Sequence, residues 1–440
     1  MNFDPLTDSG VSPADSLPPT YWHDTVTAPP YLPLEQDFTT DYLVIGGGYT
    51  GISAALTLAQ SNAGSVTVID SHSPGFGCAG RNAGFVLSGS GRLGPLALQK
   101  RFGMPVAQHI QAEFDGAVSD LLARVQAYNI DCDLTPGPYY KLAHTAEQAQ
   151  AQAANATALA HQFQQPVTAL NRSQLHSELP VQGFYGATRQ PGYTLNPLKL
   201  IVGLAETAKA RGVNIFGASP ATAITRSNDG YTIATPGGTI KAGTVLIASN
   251  AYSNKKLHPM VNKRQFPVQS SILVTEPLTQ TQCVQTGLNR AVSMMDTRKM
   301  KYYYRLLPDN RLLFGGRGEV AGKNAHRGQA RLHQAMADSF PALRDKTVSH
   351  FWSGWVSVSM DSLPRVFFDY EAQIGYAMGY CGAGVSFANM AGRRLAQQAT
   401  GQPVDSSLPL YNSPLPRFPL ASLRRTALRA LYSWARITER

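Results

Sequence analysis

Tyr42-Leu-Val-Ile-Gly-Gly-Gly-Tyr-Thr-Gly51 is a short apolar run that ends in glycines at 46, 48 and 51 and then opens an Ala/Leu-rich helix. It reads as a strand, a tight turn and a helix of the dinucleotide-binding kind. Gly46 makes the turn, Gly48 lets backbone N–H groups approach a pyrophosphate, and Gly51 lets the helix pack closely on its strand. Ser65-Val-Thr-Val-Ile69 follows as a second β-branched strand and ends at Asp70, a carboxylate placed to hold ribose hydroxyls.

The chain has 440 residues, more than one simple core usually holds, so two interleaved domains are expected. A hydrophobic content of 43% is enough for two sizeable cores. The four cysteines, Cys78, Cys132, Cys283 and Cys381, are widely spaced and form no C-x-x-C pair, which argues against a disulfide framework and fits a reducing compartment. The first forty residues lack a basic start followed by an apolar core, and no run of eighteen apolar residues occurs, so a cytoplasmic location is expected.

Net charge is +10, but residues 417–440 hold six arginines against Glu439 and so supply +5 of it. The body is only mildly basic, and no nucleic-acid partner is implied. In this tail Leu420, Leu423, Ala427, Leu431, Trp434 and Ile437 recur at helical spacing, which predicts an amphipathic helix. Either it docks on the protein's own surface, or it makes a peripheral contact with an anionic membrane.

Along the chain, residues 1–40 form a Pro-rich arm pinned by Tyr21-Trp22. A helical pattern covers 98–129, a strand Tyr139-Tyr-Lys-Leu142, and an Ala/Gln-rich, surface-exposed helix 146–164. A helix over 196–211, a strand at 213–216, a polar hairpin and Thr244-Val-Leu-Ile-Ala248 return to nucleotide-domain character. Runs at 268–276, 301–307 and 311–315 suggest an antiparallel sheet around a substrate chamber. Ile374 to Gly384 then forms a second glycine-rich strand-to-helix junction, whose N–H groups and positive dipole end suit a flavin carbonyl carrying negative charge.

Gly77-Cys-Ala-Gly-Arg-Asn-Ala-Gly84 resembles the G-A-S-G-R-N-G-G segment of FAD-dependent oxidoreductases of the D-amino-acid-oxidase superfamily, with most similarity to its gamma-glutamylputrescine oxidase branch. Residues 267–278, 303–316, 352–364 and 379–384 and the Arg-rich C-terminal helix agree with that family in order and spacing, over nearly the whole chain from Tyr42. The resemblance implies a mixed α/β fold: a Rossmann-like FAD-binding domain of the glutathione-reductase type (41–95, 196–255 and 365–405), interleaved with an antiparallel-sheet substrate domain (96–195 and 256–364). It implies non-covalent FAD with Gly46, Gly48 and Gly51 at the pyrophosphate and Asp70 at the adenosine ribose. Gly80, Arg81, Asn82 and Gly84 would pass near flavin and pyrophosphate, Ala221 near adenine, and Gly382, Ala383, Gly384 and Val385 along the isoalloxazine. Tyr49, Thr50, Ser71, Gly77, Cys78, Ala79, Ala83, Ser249, Asn250 and Cys381 complete the expected surround. Asp70 stands where the family more often has Glu, Ala79 where it has Ser, and Ala383 where a His is common.

The implied reaction is oxidation of a C–N bond in a primary or secondary amine or amino acid, of gamma-glutamylputrescine type or an amino acid. Hydride passes to flavin N5, water hydrolyses the imine, and electrons go to O2 or a quinone. Tyr303, Tyr304 and Tyr252 are the candidate aromatic wall, each equally at home as a strand or core tyrosine. Arg305 and Arg317 are candidate carboxylate anchors or solvated strand arginines, with Arg81 given to the cofactor. No metal-spaced cluster occurs, His72, His109 and His258 are isolated, and Cys381 reads as a small buried thiol rather than a covalent flavin attachment. A non-catalytic or regulatory flavoprotein on the same fold is the alternative, kept open by Ala79 and Ala383.

Overall fold

The computed structural model describes residues 3–8, 10–11, 19–253, 256–288, 292–321 and 325–438. The tail's Glu439 and Arg440, the Arg436 side chain and residues 12–18 of the N-terminal arm lie outside the described residues.

Two sheets organise the chain. In the first, Phe38–Ile45 is central, with Val66–Ile69 and then Asn214–Phe216 on one side and Gly238–Ile247 and then Ile374–Met378 on the other, all parallel. Arg365–Asp369 closes one edge antiparallel, and the hairpin Ala223–Ser227 with Gly230–Thr235 hangs from Gly238–Ile247. Val66–Ile69, Ile374–Met378 and the C-terminal ends of the two central strands, Leu43–Ile45 and Val245–Ile247, are buried apolar runs because both faces are covered there.

The second sheet has nine strands. Its main path runs Val348–Val358, Phe266–Thr275, Leu312–Arg317, Tyr303–Leu306, Ser293–Asp296, Thr135–Ala143, Gly186–Thr194 and Phe85–Val86, with Thr168–Asn171 beside Gly186–Thr194. All its pairs are antiparallel except Ser293–Asp296 with Thr135–Ala143. The result is a mixed α/β fold: a parallel-core sheet and a curled antiparallel one. Phe85–Val86 belongs to the second sheet although it lies within the stretch 41–95 expected for the first domain.

Helix Tyr49–Gln60 and helix Gly384–Ala399 cross against each other beside the first sheet. Ser53 donates to Asn389 at 2.8 Å inside this contact. A Cβ at Gly392 would lie 2.1 Å from the Thr50 carbonyl oxygen, so only glycine permits the approach.

Three local expectations need correction. The helical stretch 98–129 is two helices, Pro95–Phe102 and Met104–Ala127, because Gly103 at φ +81° ends one and begins the next. The Ala/Gln-rich helix, observed at Ala146–Phe163, is not wholly at the surface, since Gln152, Asn155, Ala156 and Leu159 face the main cavity. The tail helix, Arg424–Thr438, docks on the body, but through Leu428, Tyr432 and Ala435 rather than through the stripe singled out by spacing. Leu420, Leu423, Leu431, Trp434 and Ile437 stay exposed, while Arg424 bonds Ala421 and Gln265 carbonyls and Arg425 pairs with Asp4. Among the described residues no helix is long and apolar enough to cross a membrane. The arm behaves as anticipated: Tyr21 and Trp22 are buried, and the Trp22 indole donates to the Asn82 carbonyl at 3.0 Å.

Replacing Gly392 by Val drives a side chain into the Thr50 carbonyl and is expected to destabilise the fold by about 3 kcal/mol, read as a lowered midpoint of thermal unfolding.

Candidate functional site

A cavity of about 1630 Å³ runs between the two sheets. At one part of its wall, the turn after Phe38–Ile45 brings Gly46 to φ +116° while its N–H bonds the Ile69 carbonyl at 2.8 Å. A Cβ at Gly51 would lie 1.8 Å from the Gly46 carbonyl oxygen, so the helix seats on its own turn. Gly48 is the N-cap of Tyr49–Gln60 and no side chain caps that helix. Its free N–H groups and positive dipole end open on the cavity through Gly48, Tyr49 and Thr50, an arrangement made for an anion.

Asp70 ends the adjacent strand with its carboxylate at the cavity wall, where Gly47 N–H (2.7 Å) and His72 N–H (2.8 Å) fix it. Burial pushes its carboxyl up, against the pull of those two donors. Ser71, Ala221, Ser249 and Asn250 line the same region. The helix Gly384–Ala399 is likewise uncapped at Ala383, and Cys381, Gly382, Ala383, Gly384 and Val385 bring its N-terminus to the same cavity.

The Gly77–Gly84 segment crosses between these two ends. Gly77, Cys78, Ala79, Arg81, Asn82 and Ala83 line the cavity. Gly80 and Gly84 do not, because each is pressed against backbone, the Gly75 and the Leu195 carbonyl respectively. Gly51 likewise sits behind the turn rather than on the wall. Asn82 latches the segment by donating to the Cys78 and Ala79 carbonyls and accepting from Gly84 N–H. Arg81, buried, donates to the Phe76 carbonyl at 2.9 Å, and burial lowers it to about 10.

The curled sheet forms the opposite wall. Lys141, Met295, Tyr303 and Gly315 lie in one cross-strand row on adjacent strands. The Tyr303 ring lies over Gly315, where a Cβ would meet it at 2.1 Å, and its hydroxyl is 2.9 Å from Ser270 Oγ. Burial raises that phenol to about 12, so it is neutral at physiological pH. Tyr252 reaches the cavity from the first sheet, its hydroxyl accepting Trp355 N–H at 3.2 Å. Arg317, two residues beyond Gly315, also faces the cavity.

Two of the sequence candidates do not belong to this wall. Tyr304 follows Tyr303 in a strand and therefore points to the opposite face, fully buried and stacked on Phe314 at 5.5 Å. Arg305 shares the face of Tyr303 but is buried further along it, donating to the Leu195 carbonyl at 2.8 Å and lying 5.4 Å from the Trp22 ring centroid, in a small separate cavity. Arg92, Tyr139, Lys141, Gln152 and Lys301 line the main cavity and were not singled out by sequence. Tyr139 with Lys141 and Lys301 with Tyr303 are spaced by two, the signal of a shared strand face.

Among the described residues no group of His, Cys, Asp and Glu side chains could hold a metal. Nucleotide-shaped features fit FAD well: two uncapped helix ends, a ribose-competent carboxylate and a long cavity joining them. Residues 41–398 match the FAD dependent oxidoreductase (DAO) family, and the chain belongs to it. It is 30% identical to a probable oxidoreductase OrdL of Rhizobium meliloti over 98% of this chain and 99% of that one. It is 27% identical to the gamma-glutamylputrescine oxidoreductase of Escherichia coli over 92% of this chain and 94% of that one. The fold is like that of glycine oxidase from Geobacillus kaustophilus, with a TM-score of 0.68 at 21% identity over 84% of this chain and 96% of that one.

Cys78 donates to the Trp355 carbonyl at 2.7 Å and burial pushes its thiol up to about 12; Cys381 is raised by burial as well. Thiols held in this way carry far less thiolate at neutral pH than a free cysteine. Iodoacetamide at neutral pH is therefore expected to leave Cys78 and Cys381 unmodified in the folded protein, as read by peptide mass spectrometry, and to label them after denaturation.

Proposed function

We propose that this chain is an FAD-dependent oxidoreductase acting on the C–N bond of an amine or amino acid, with the cofactor held non-covalently. The observation that carries the reading is that one cavity brings two uncapped helix ends and Asp70 to face Tyr303 and Arg317, the latter without a hydrogen-bond or ion-pair partner among the described residues. Gly48, Tyr49 and Thr50 would hold the pyrophosphate, Asp70 the ribose, and Gly382 to Val385 the isoalloxazine. FAD, when bound, supplies the hydride acceptor, and the imine left behind is open to hydrolysis by water.

The chain's own residues set up that step in three ways. Arg317 offers a fork of donors to a substrate carboxylate. Tyr303, neutral and tied to Ser270, presents an aromatic face that orients the reacting carbon without acting as a base. Finally, Asp70 is the single acid on the cavity wall among the described residues, whereas Arg92, Lys141, Lys301 and Arg317 are all cationic. Like charges disfavour an ammonium there, so a bound amine loses its proton more readily, and the neutral amine is the form that can give up hydride.

Gamma-glutamylputrescine is the second reading, favoured by the similarity to the Escherichia coli protein across both chains. The inert thiols of Cys78 and Cys381 support non-covalent FAD, and acid precipitation is expected to leave the flavin in the supernatant. Anaerobic addition of amino acids to the holoprotein is expected to bleach the visible flavin band. A flavin that no amine reduces would instead indicate a non-catalytic flavoprotein. On readmission of air, peroxide identifies an oxidase; reduced flavin that waits for a quinone identifies a dehydrogenase. Arg317→Met is expected to raise KM for a carboxylate-bearing amine about 10- to 100-fold while the flavin spectrum is kept.

A further inference from the structure

We propose that the substrate carries a second acidic group, bound by Lys141 and Lys301 while Arg317 holds the first; the class is an amine with two carboxylates, not a polyamine. The inference rests on the reading of the cavity as an amine-oxidising chamber and narrows its substrate. Arg92, Lys141, Lys301 and Arg317 all line that cavity. None of the four side chains makes a hydrogen bond or an ion pair with any described residue; Arg92 and Lys141 are solvent-exposed, Lys301 and Arg317 are half-buried, and the four stand close enough for Lys141, Arg317 and Arg92 all to act on Lys301. The acids near them are engaged elsewhere, with Asp296 bound to Arg298 and Asp70 held in the glycine turn.

Geometry puts the charges together rather than scattering them. Lys141 stands in the same cross-strand row as Tyr303, and Lys301 is two residues from Tyr303 on its own strand approach. Arg317 is two residues beyond the glycine over which Tyr303 lies. A second, independent feature points to a polar ligand in the same cavity. Gln152 is only 8% exposed, lines the wall, and has neither its amide nitrogen nor its amide oxygen bonded to any described residue. Folding leaves such a group unsatisfied at a cost of about 1–3 kcal/mol unless a ligand or water answers it.

Four unpaired cations with no acid facing them attract an anion and repel a cation. Putrescine and other polyamines are therefore disfavoured. Gamma-glutamylputrescine, with two ammonium groups and one carboxylate, is disfavoured for the same reason. The crowding also tunes Lys301: burial, then Lys141, Arg317 and Arg92, push it down to about 8, with Asp296 pulling the other way. Its ammonium is present below that pH and lost above it, so affinity for the second carboxylate falls as pH rises through about 8.

The test uses the FAD-loaded full chain and two matched pairs. Succinate against acetate, neither of which can be oxidised, is followed by perturbation of the flavin spectrum and gives Kd. Iminodiacetate against N-methylglycine, which differ by one carboxylate, is followed by anaerobic flavin reduction. Succinate is expected to bind at least about tenfold more tightly than acetate at pH 7, with the preference shrinking towards pH 9, and iminodiacetate to have the lower KM. In Lys141→Met/Lys301→Met the succinate preference collapses, whereas Lys301→Arg keeps it and removes its pH dependence; an unchanged flavin spectrum shows that each variant is folded. Equal Kd for succinate and acetate, or ready oxidation of putrescine, would overturn the second anion site, and leaves the amine oxidoreductase reading standing if any amine bleaches the flavin. Tight succinate binding with no amine able to bleach the flavin would support the anion site and overturn that reading instead.

Discussion

Everything in this protein depends on how closely two helices can approach backbone. The Gly46 carbonyl occupies the place where a side chain at Gly51 would stand, and the Thr50 carbonyl occupies the place where one at Gly392 would stand. The first contact seats the helix Tyr49–Gln60 on its strand; the second lays Gly384–Ala399 against it. Two helix N-termini, over three hundred residues apart in sequence, are thereby brought to one cavity with no side chain capping either. Uncapped N–H groups are costly unless something answers them, and an anionic cofactor does so.

The second sheet supplies the opposite polarity of design. Its concave face carries tyrosines and cations that have no partner among the described residues, while its far face is packed by Tyr304, Phe314 and Phe340 into a separate apolar core. The same strand thus separates solvent-competent chemistry on one side from stability on the other. Cationic crowding has two consequences that reinforce each other. In the proposed reaction it would keep a bound amine deprotonated and select for substrates that bring negative charge of their own.

How much of this was readable from sequence follows the range of the interactions. The glycine turn, Asp70 and the second glycine-rich junction are local patterns whose chemistry is set within about twenty residues, and they were legible. So were both halves of the fold and the arm anchored by Trp22. Adjacent Tyr303 and Tyr304 could not both face the chamber, yet which one does is decided by pairing with Ser293–Asp296 and Leu312–Arg317, far away in sequence. Arg305 has the right parity but sits where Trp22 and Leu195 close over it. Lys141 and Lys301 carry only a weak local mark, each two residues from a tyrosine; it is the strand register that brings them beside the same one. The tail helix shows the same limit. Its periodicity was clear, but the buried face, Leu428 with Tyr432, was chosen by the partner surface of Val268 and Val358 rather than by the more hydrophobic stripe.

FAD binding is the property on which the proposed activity rests. The decisive measurement is the visible spectrum and flavin content of the purified full chain, before and after incubation with FAD. Stoichiometric FAD with a resolved oxidised-flavin spectrum is predicted, together with its loss in Gly51→Val. A folded wild-type chain that is colourless and takes up no FAD would contradict it.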